Sequence, residues 1–180
     1  MNKMIRFVAL AFIIVVLIQT QAIAKMSDGL AALLNERQTN IWVEGEFLGD
    51  FILGSRGRIE FIYLDEKLSR AIAEEHTLAQ WVDELNQYFG SPATEKKALF
   101  LVQLEVNKPW SFNVSDLVIG DYKPKKEDII SLSWRNPDET LQSETKWQFA
   151  FVVPESIVYK NKSIKLGYKE DVTEWKIPQK

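Results

Sequence analysis

Cysteine is absent from all 180 residues, and histidine occurs once, at position 76. Without cysteine there are no disulfide staples, no thiol redox chemistry and no thiolate-ligated metal. With a single histidine besides, the usual nucleophile–base triads lack their parts, and a metal site would need ligands brought from elsewhere. A basic excess is missing too. Twenty-two Lys and Arg stand against 25 Asp and Glu, a formal charge of −3, so there is no electrostatic footprint for nucleic acid. Beyond residue 25 there is no internal repeat, low-complexity tract or linker. The longest apolar run, Phe7 to Ile18, has twelve residues, short of the ~20 a membrane span needs.

That run belongs to a targeting segment. Lys3 and Arg6 form a positive start, Gln19-Thr20-Gln21 is polar, and Ala22-Ile23-Ala24 puts small residues where a signal peptidase cuts. Residues 1–24 therefore read as a cleaved secretory signal. No cysteine follows the site to carry a lipid. The remainder, 25–180, is one domain with no membrane span, large enough to bury a core unaided. Removal of Lys3 and Arg6 takes its formal charge from −3 to −5. The expected location is periplasmic or secreted. The triplets at Asn113 and Asn161 read as incidental matches to a glycosylation signal.

The clearest folding signal lies between Lys97 and Pro154. In Ala98 to Val106 one parity is wholly apolar, while the other turns polar at Gln103 and Glu105. Period-two alternation places these sets on opposite faces of a strand. Leu99 and Leu101 on the second face predict that its first half is covered on both sides. Trp147 to Val153 repeats the pattern, and Pro154, which has no ladder donor, stops it. Between them, Asn107 to Trp110 is a turn, Ser111 to Val114 a short strand with Phe112 and Val114 inward, and Leu117 to Ile119 another.

The residues Asn107, Pro109, Phe112, Asp116, Leu117, Ile119 and Asp121, followed by Phe151, Val153 and Pro154, form a turn-and-core pattern. It resembles the Ig-like sandwich of DUF4352-type and antigen MPT63-like extracytoplasmic domains, over about a third to a half of the chain. The resemblance implies an Ig-like antiparallel β-sandwich and carries no reaction and no functional residues with it. The sequence departs from that pattern before Lys97, where a long helix is expected.

Elsewhere, Ser27 to Arg37 reads as a short helix with Ser27 as its N-cap, or as a loosely attached arm. Ile41 to Phe47, Phe51 to Leu53 and Arg58 to Leu64 read as three strands joined by Gly-containing turns. Phe47 is provisionally aligned with Ile41 and Val43. Residues 65–89 carry an apolar stripe of Leu68, Ala71, Ile72, Leu78, Ala79, Val82, Leu85 and Phe89 at helical spacing. A capping box at Thr77 to Gln80 allows that helix to break near His76. Ile129 to Trp134, Ile164 to Tyr168 and Val172 to Ile177 complete the strands. The expected fold class is mainly β: an Ig-like antiparallel β-sandwich with one inserted amphipathic helix, about 65–89.

No catalytic, cofactor-binding or metal site emerges. His76, after Glu74 and Glu75, reads as a helix-junction or solvent-facing residue. Asp83-Glu84 and Asp138-Glu139 are adjacent surface acids, whereas a glycosidase pair faces one cleft across ~5–10 Å. Asp116 and Asp121 lack the alternating ligand pattern of a calcium loop. Tryptophan is the enriched type, with six. Trp110, following Pro109 in a turn, is the candidate contact residue, against the alternative that it packs over the end of the sandwich. Three functions follow. The first is an exported non-enzymatic binding or assembly module of the bacterial cell envelope, whose partner is an envelope or extracellular protein. The second is a carrier of a small apolar ligand held between helix 65–89 and the sheet. The third is a hydrolase with an unusual carboxylate site.

Overall fold

The structure is a computed structural model that describes residues 26–131, 140–159 and 162–178. The signal segment 1–24, the second half of the strand expected at 129–134, and the pair Asp138-Glu139 lie outside those residues.

Seven strands in two sheets and three helices make the central layers. Strand β1 (Gln38–Val43) turns through a small hairpin, β2 (Glu46–Leu48) and β3 (Phe51–Leu53), into β4 (Gly57–Leu64). Helices α2 (Glu66–Glu75) and α3 (Gln80–Asn86) then return the chain antiparallel to β4 as β5 (Lys97–Val106). Helix α1 (Asp28–Arg37) precedes β1, and β9 (Thr145–Pro154) closes a four-stranded sheet of order β1-β4-β5-β9. A second sheet of order β11-β10-β7 is built from β7 (Leu117–Ile119), β10 (Ser163–Tyr168) and β11 (Asp171–Lys176). A two-residue pair, β6 (Trp110–Ser111) with β8 (Thr140–Leu141), and a one-turn helix α4 (Glu155–Tyr159) complete the chain.

The mainly β, antiparallel architecture is the one expected. Its pairing is not that of an immunoglobulin sheet, where the second and fifth strands are neighbours. Here the helical excursion lays β5 directly beside β4, so the described residues run as a meander, β1-β4-β5, before β9 joins.

The apolar parity of each central strand explains the layers. Ile59, Phe61, Phe100, Val102, Leu104, Phe149 and Phe151 face the second sheet's Ile119, Leu166, Tyr168 and Trp175 in one core. Ile62, Leu64, Leu99, Leu101, Ala150 and Val152 point the other way, under Leu30 of α1, Leu68 and Ile72 of α2, and Val82 and Leu85 of α3. The first half of β5 is therefore covered on both sides.

The helix expected over 65–89 is two helices. His76 ends α2 in the left-handed region at φ 46°, its N–H bonded to the Ile72 carbonyl. The Thr77 capping box does not form. Helix α3 begins at Gln80 behind Ala79 with no side-chain cap, and Thr77 Oγ1 has no partner among the described residues. Ser27 does cap α1, accepting from Leu30 N at 3.1 Å, and also donates its N–H to Glu75 Oε2 at 3.1 Å. The N-terminal helix is thus docked and not a loose arm.

Beyond the helices, the outer face of the four-stranded sheet turns polar in register. Trp42, Arg58, Glu105 and Lys146 form one row, and Asn40, Glu60, Gln103 and Gln148 the next. Glu60 is the strained member. Burial raises its pKa, Arg58 opposes that shift and Glu105 adds to it, while Gln38 donates to its Oε1 at 2.8 Å. A carboxyl whose folded pKa is raised weakens the fold as pH climbs above the unfolded value of about 4.3. Glu60→Gln is therefore expected to raise the Tm at pH 7, with the advantage vanishing toward pH 4. Paired thermal melts at the two pH values check this, and a variant less stable at pH 7 would refute it.

Candidate functional site

The chain between β1 and β4 does not continue the sandwich. Glu44 takes φ 53° and ends β1. Residues 46–53 then stand apart as a separate two-stranded hairpin whose two-residue loop is Gly49-Asp50. Gly49 sits at φ 61° with open space where a Cβ would be, the positive φ that tight hairpin turns demand. The alignment of Phe47 with Ile41 and Val43 fails here, because the Glu44-Gly45 break resets the parity.

The base of this hairpin is fixed. Arg56 pairs with Glu44 at 2.8 Å and donates from Nη1 to the Pro109 carbonyl at 2.7 Å. The hydrogen bond from Arg56 holds the Glu44 carboxyl below its ordinary range. Asn107 donates to Ser55 Oγ at 2.8 Å, and Lys108 Nζ to the Gly54 carbonyl at 2.6 Å. Both Asn107 N and Lys108 N bond the Arg56 carbonyl. The β5–β6 turn thereby clamps the hairpin's return strand.

The tip is apolar and bare. Phe47 is 64% exposed, Leu48 59%, Phe51 74% and Leu53 48%. Leu48 pairs with Phe51 on one face, and Phe47 pairs with Ile52 on the other, so both faces of the tip carry large apolar side chains. Glu46 and Asp50 beside them are exposed and make no ion pair among the described residues. The tip is therefore an exposed patch of aromatic and branched side chains on a fixed base. The alternation expected for sandwich strands does not continue through this segment. The available signal was Phe47-Leu48-Gly49-Asp50-Phe51-Ile52-Leu53, whose consecutive apolar residues leave neither hairpin face polar.

Trp110 lies beneath the hairpin base, 2% exposed. Its ring meets Phe112 edge-on at 5.4 Å and Tyr168 at 5.1 Å. Gly57 leaves room for it, since a Cβ there would stand 3.2 Å from the indole and 2.5 Å from the Glu105 carbonyl. The structure thus corrects the contact role proposed for Trp110: the packing alternative is the one seen, because the turn at 107–109 folds the indole inward.

The other sequence candidates scatter. His76 Nδ1 is 4.0 Å from Asp83 Oδ2 on the exposed helix junction. Asp116 accepts from the Tyr168 hydroxyl at 3.3 Å and lies 3.8 Å from Lys169 Nζ. Among the described residues no group of three or more His, Asp or Glu side chains could hold a metal ion. No helix there is long and apolar enough to cross a membrane. Between α2–α3 and the sheet, the space is occupied by Leu68, Ile72, Val82, Leu85, Leu99, Leu101 and Val152, each at most 6% exposed.

Comparison with known proteins adds no relative: no family model, no curated protein and no solved structure matches the chain.

Proposed function

We propose that the chain is an exported, non-enzymatic binding or assembly module of the bacterial cell envelope that engages a partner protein through hairpin 46–53. The observation that carries this reading is the exposure of Phe47, Leu48, Phe51 and Leu53 on a clamped base. Apolar side chains on both faces fit a groove that encloses the tip better than a flat surface. The unpaired acids Glu46 and Asp50 favour a groove with a basic rim and disfavour anionic lipid. Export rests on the Lys3–Ala24 signal pattern.

The test places a photo-crosslinking residue at position 48, with a control at exposed Glu74 on α2, in cells that express the protein in its native envelope. The expected result is one reproducible protein adduct from position 48 and none from 74. The triple variant Phe47→Ser, Leu48→Ser, Phe51→Ser should lose that partner with its Tm nearly unchanged, since surface substitutions cost within about 0.5 kcal/mol each. An unimpaired complex with the triple variant would sink the reading, as would adducts to lipid alone.

A further inference from the structure

A second feature lies in another part of the molecule and does not depend on the hairpin. Where β4 ends and α2 begins, a hollow of about 320 Å³ is lined by Tyr63, Leu64, Phe89, Lys97, Ala98 and Tyr159, with Asp65, Glu66, Lys67 and Pro178 around them. That volume falls at the lower end of small-molecule sites, roughly 300–1,000 Å³, and the lining has their usual mixture of apolar walls and a few polar groups. An adjoining hollow shares Phe89, Lys97 and Tyr159 and continues toward Thr94, Lys96 and the acids Glu95 and Glu155.

The polar groups divide into committed and uncommitted. Asp65 receives Arg37 through both carboxylate oxygens, at 3.0 and 2.8 Å, and also caps α2 through Leu68 N. Glu66 pairs with Arg70 at 2.7 Å. Asp65 is therefore neutralised by a buried partner, whereas Glu66 is held only in an exposed i,i+4 pair. Lys67 and Lys97 also line it, with exposed side chains that make no ion pair or hydrogen bond among the described residues. Inside, the Tyr63 hydroxyl donates to the Tyr159 hydroxyl at 3.4 Å. Tyr63 is 4% exposed and Tyr159 44%, so the inner phenol is the buried member of the pair and the outer one lies at the surface. Burial, chiefly, pushes the Tyr63 pKa up and keeps that phenol a neutral donor. The first turn of α2 contributes its partial positive charge at the same place.

We propose that this hollow binds a small amphiphilic anion, with an apolar or aromatic body against Phe89, Leu64 and Ala98 and a carboxylate between Lys67 and Lys97. It is a carrier-type site at the open end of the helix–sheet seam, beyond the filled interior of that seam. The free lysines set the sign of the guest's charge, and the apolar wall sets its body.

The probe is 4-phenylbutyrate, compared with 4-phenylbutan-1-ol, which has the same body and no charge. Both are titrated into the exported protein and followed by ¹H–¹⁵N NMR. The expected result is low-millimolar or tighter binding of the acid, with shifts confined to residues around Lys67, Phe89, Lys97, Ala98 and Tyr159. The alcohol should bind roughly tenfold more weakly. Lys67→Glu with Lys97→Glu, both on exposed side chains, should abolish acid binding and leave the Tm unchanged. Equal binding of acid and alcohol would overturn the proposal. So would acid binding that survives the double variant, shifts centred on Phe47 and Phe51, or no shifts at all.

Discussion

Replacing Trp110 with alanine is expected to destabilise the fold by about 3–5 kcal/mol, the range for removing a large buried aromatic, and to lower the Tm by roughly 6–20 °C. The indole is 2% exposed and touches Phe112 and Tyr168 edge-on. Those two rings stack on each other at 5.3 Å, and Phe112 reaches Phe149 of the first sheet at 6.4 Å. Trp110 therefore sits at the junction of both sheets and the hairpin clamp, and its loss leaves a cavity that the rigid β5–β6 turn cannot collapse. Trp110→Phe should recover about half of the loss. Urea denaturation of both variants checks this. A Trp110→Ala protein with unchanged stability and a lost partner would restore the contact role instead.

That contrast locates what the sequence could and could not say. The parity of Ala98–Val106 and Trp147–Val153 was legible, including the double coverage of Leu99 and Leu101, because each strand carries its own burial record in period two. The Ser27 cap and the helix break near His76 were legible for the same local reason. The fate of Trp110 was not, because a turn residue's burial depends on which distant surface the turn meets. Here that surface is the Gly57 gap in β4, more than fifty residues earlier in the chain. The hairpin was misread because Ile41–Phe47 looks like one strand, and a single positive φ at Glu44 divides it. The neutralised Asp65 at the rim of the hollow required its pairing with Arg37, which no local pattern announces.

Both proposed sites follow from one architectural fact. Three layers bury almost every apolar residue of the central strands, so a large apolar side chain left outside, or a cation left unpaired beside a hollow, is not forced by lack of room in the core. The hairpin tip and the mouth between Lys67 and Lys97 are where the chain departs from self-satisfaction. The two lie on different connections, one between β1 and β4 and the other where β4 passes into α2. Changes at one are therefore expected to leave the other intact, so the crosslinking and titration experiments can be read separately.

Arg37 carries the other large effect. It is 2% exposed, the largest of the buried polar side chains, and it ends α1. Its Nε and Nη2 bind Asp65 bidentately at 3.0 and 2.8 Å, and Nη1 bonds the Leu33 carbonyl at 3.2 Å and Glu36 Oε2 at 3.0 Å. Burial by itself would lower its pKa, and the bonds to Asp65 and Glu36 outweigh that and raise it, so the guanidinium stays charged. Asp65 is at once its partner and the N-cap of α2, so one carboxylate ties α1, the end of β4 and the helical layer together. Arg37→Ala leaves Asp65 unpaired beneath α1 and is expected to cost about 3–5 kcal/mol, the range for breaking a buried pair from one side. Arg37→Met, which keeps most of the packed stem, should cost less. Asp65→Ala should share much of its cost with Arg37→Ala, so the double variant is expected to fall well short of the sum. Equilibrium urea unfolding of the three proteins measures the coupling. An Arg37→Ala loss below about 1 kcal/mol, the level of an exposed ion pair, would show that the helical layer does not depend on this contact.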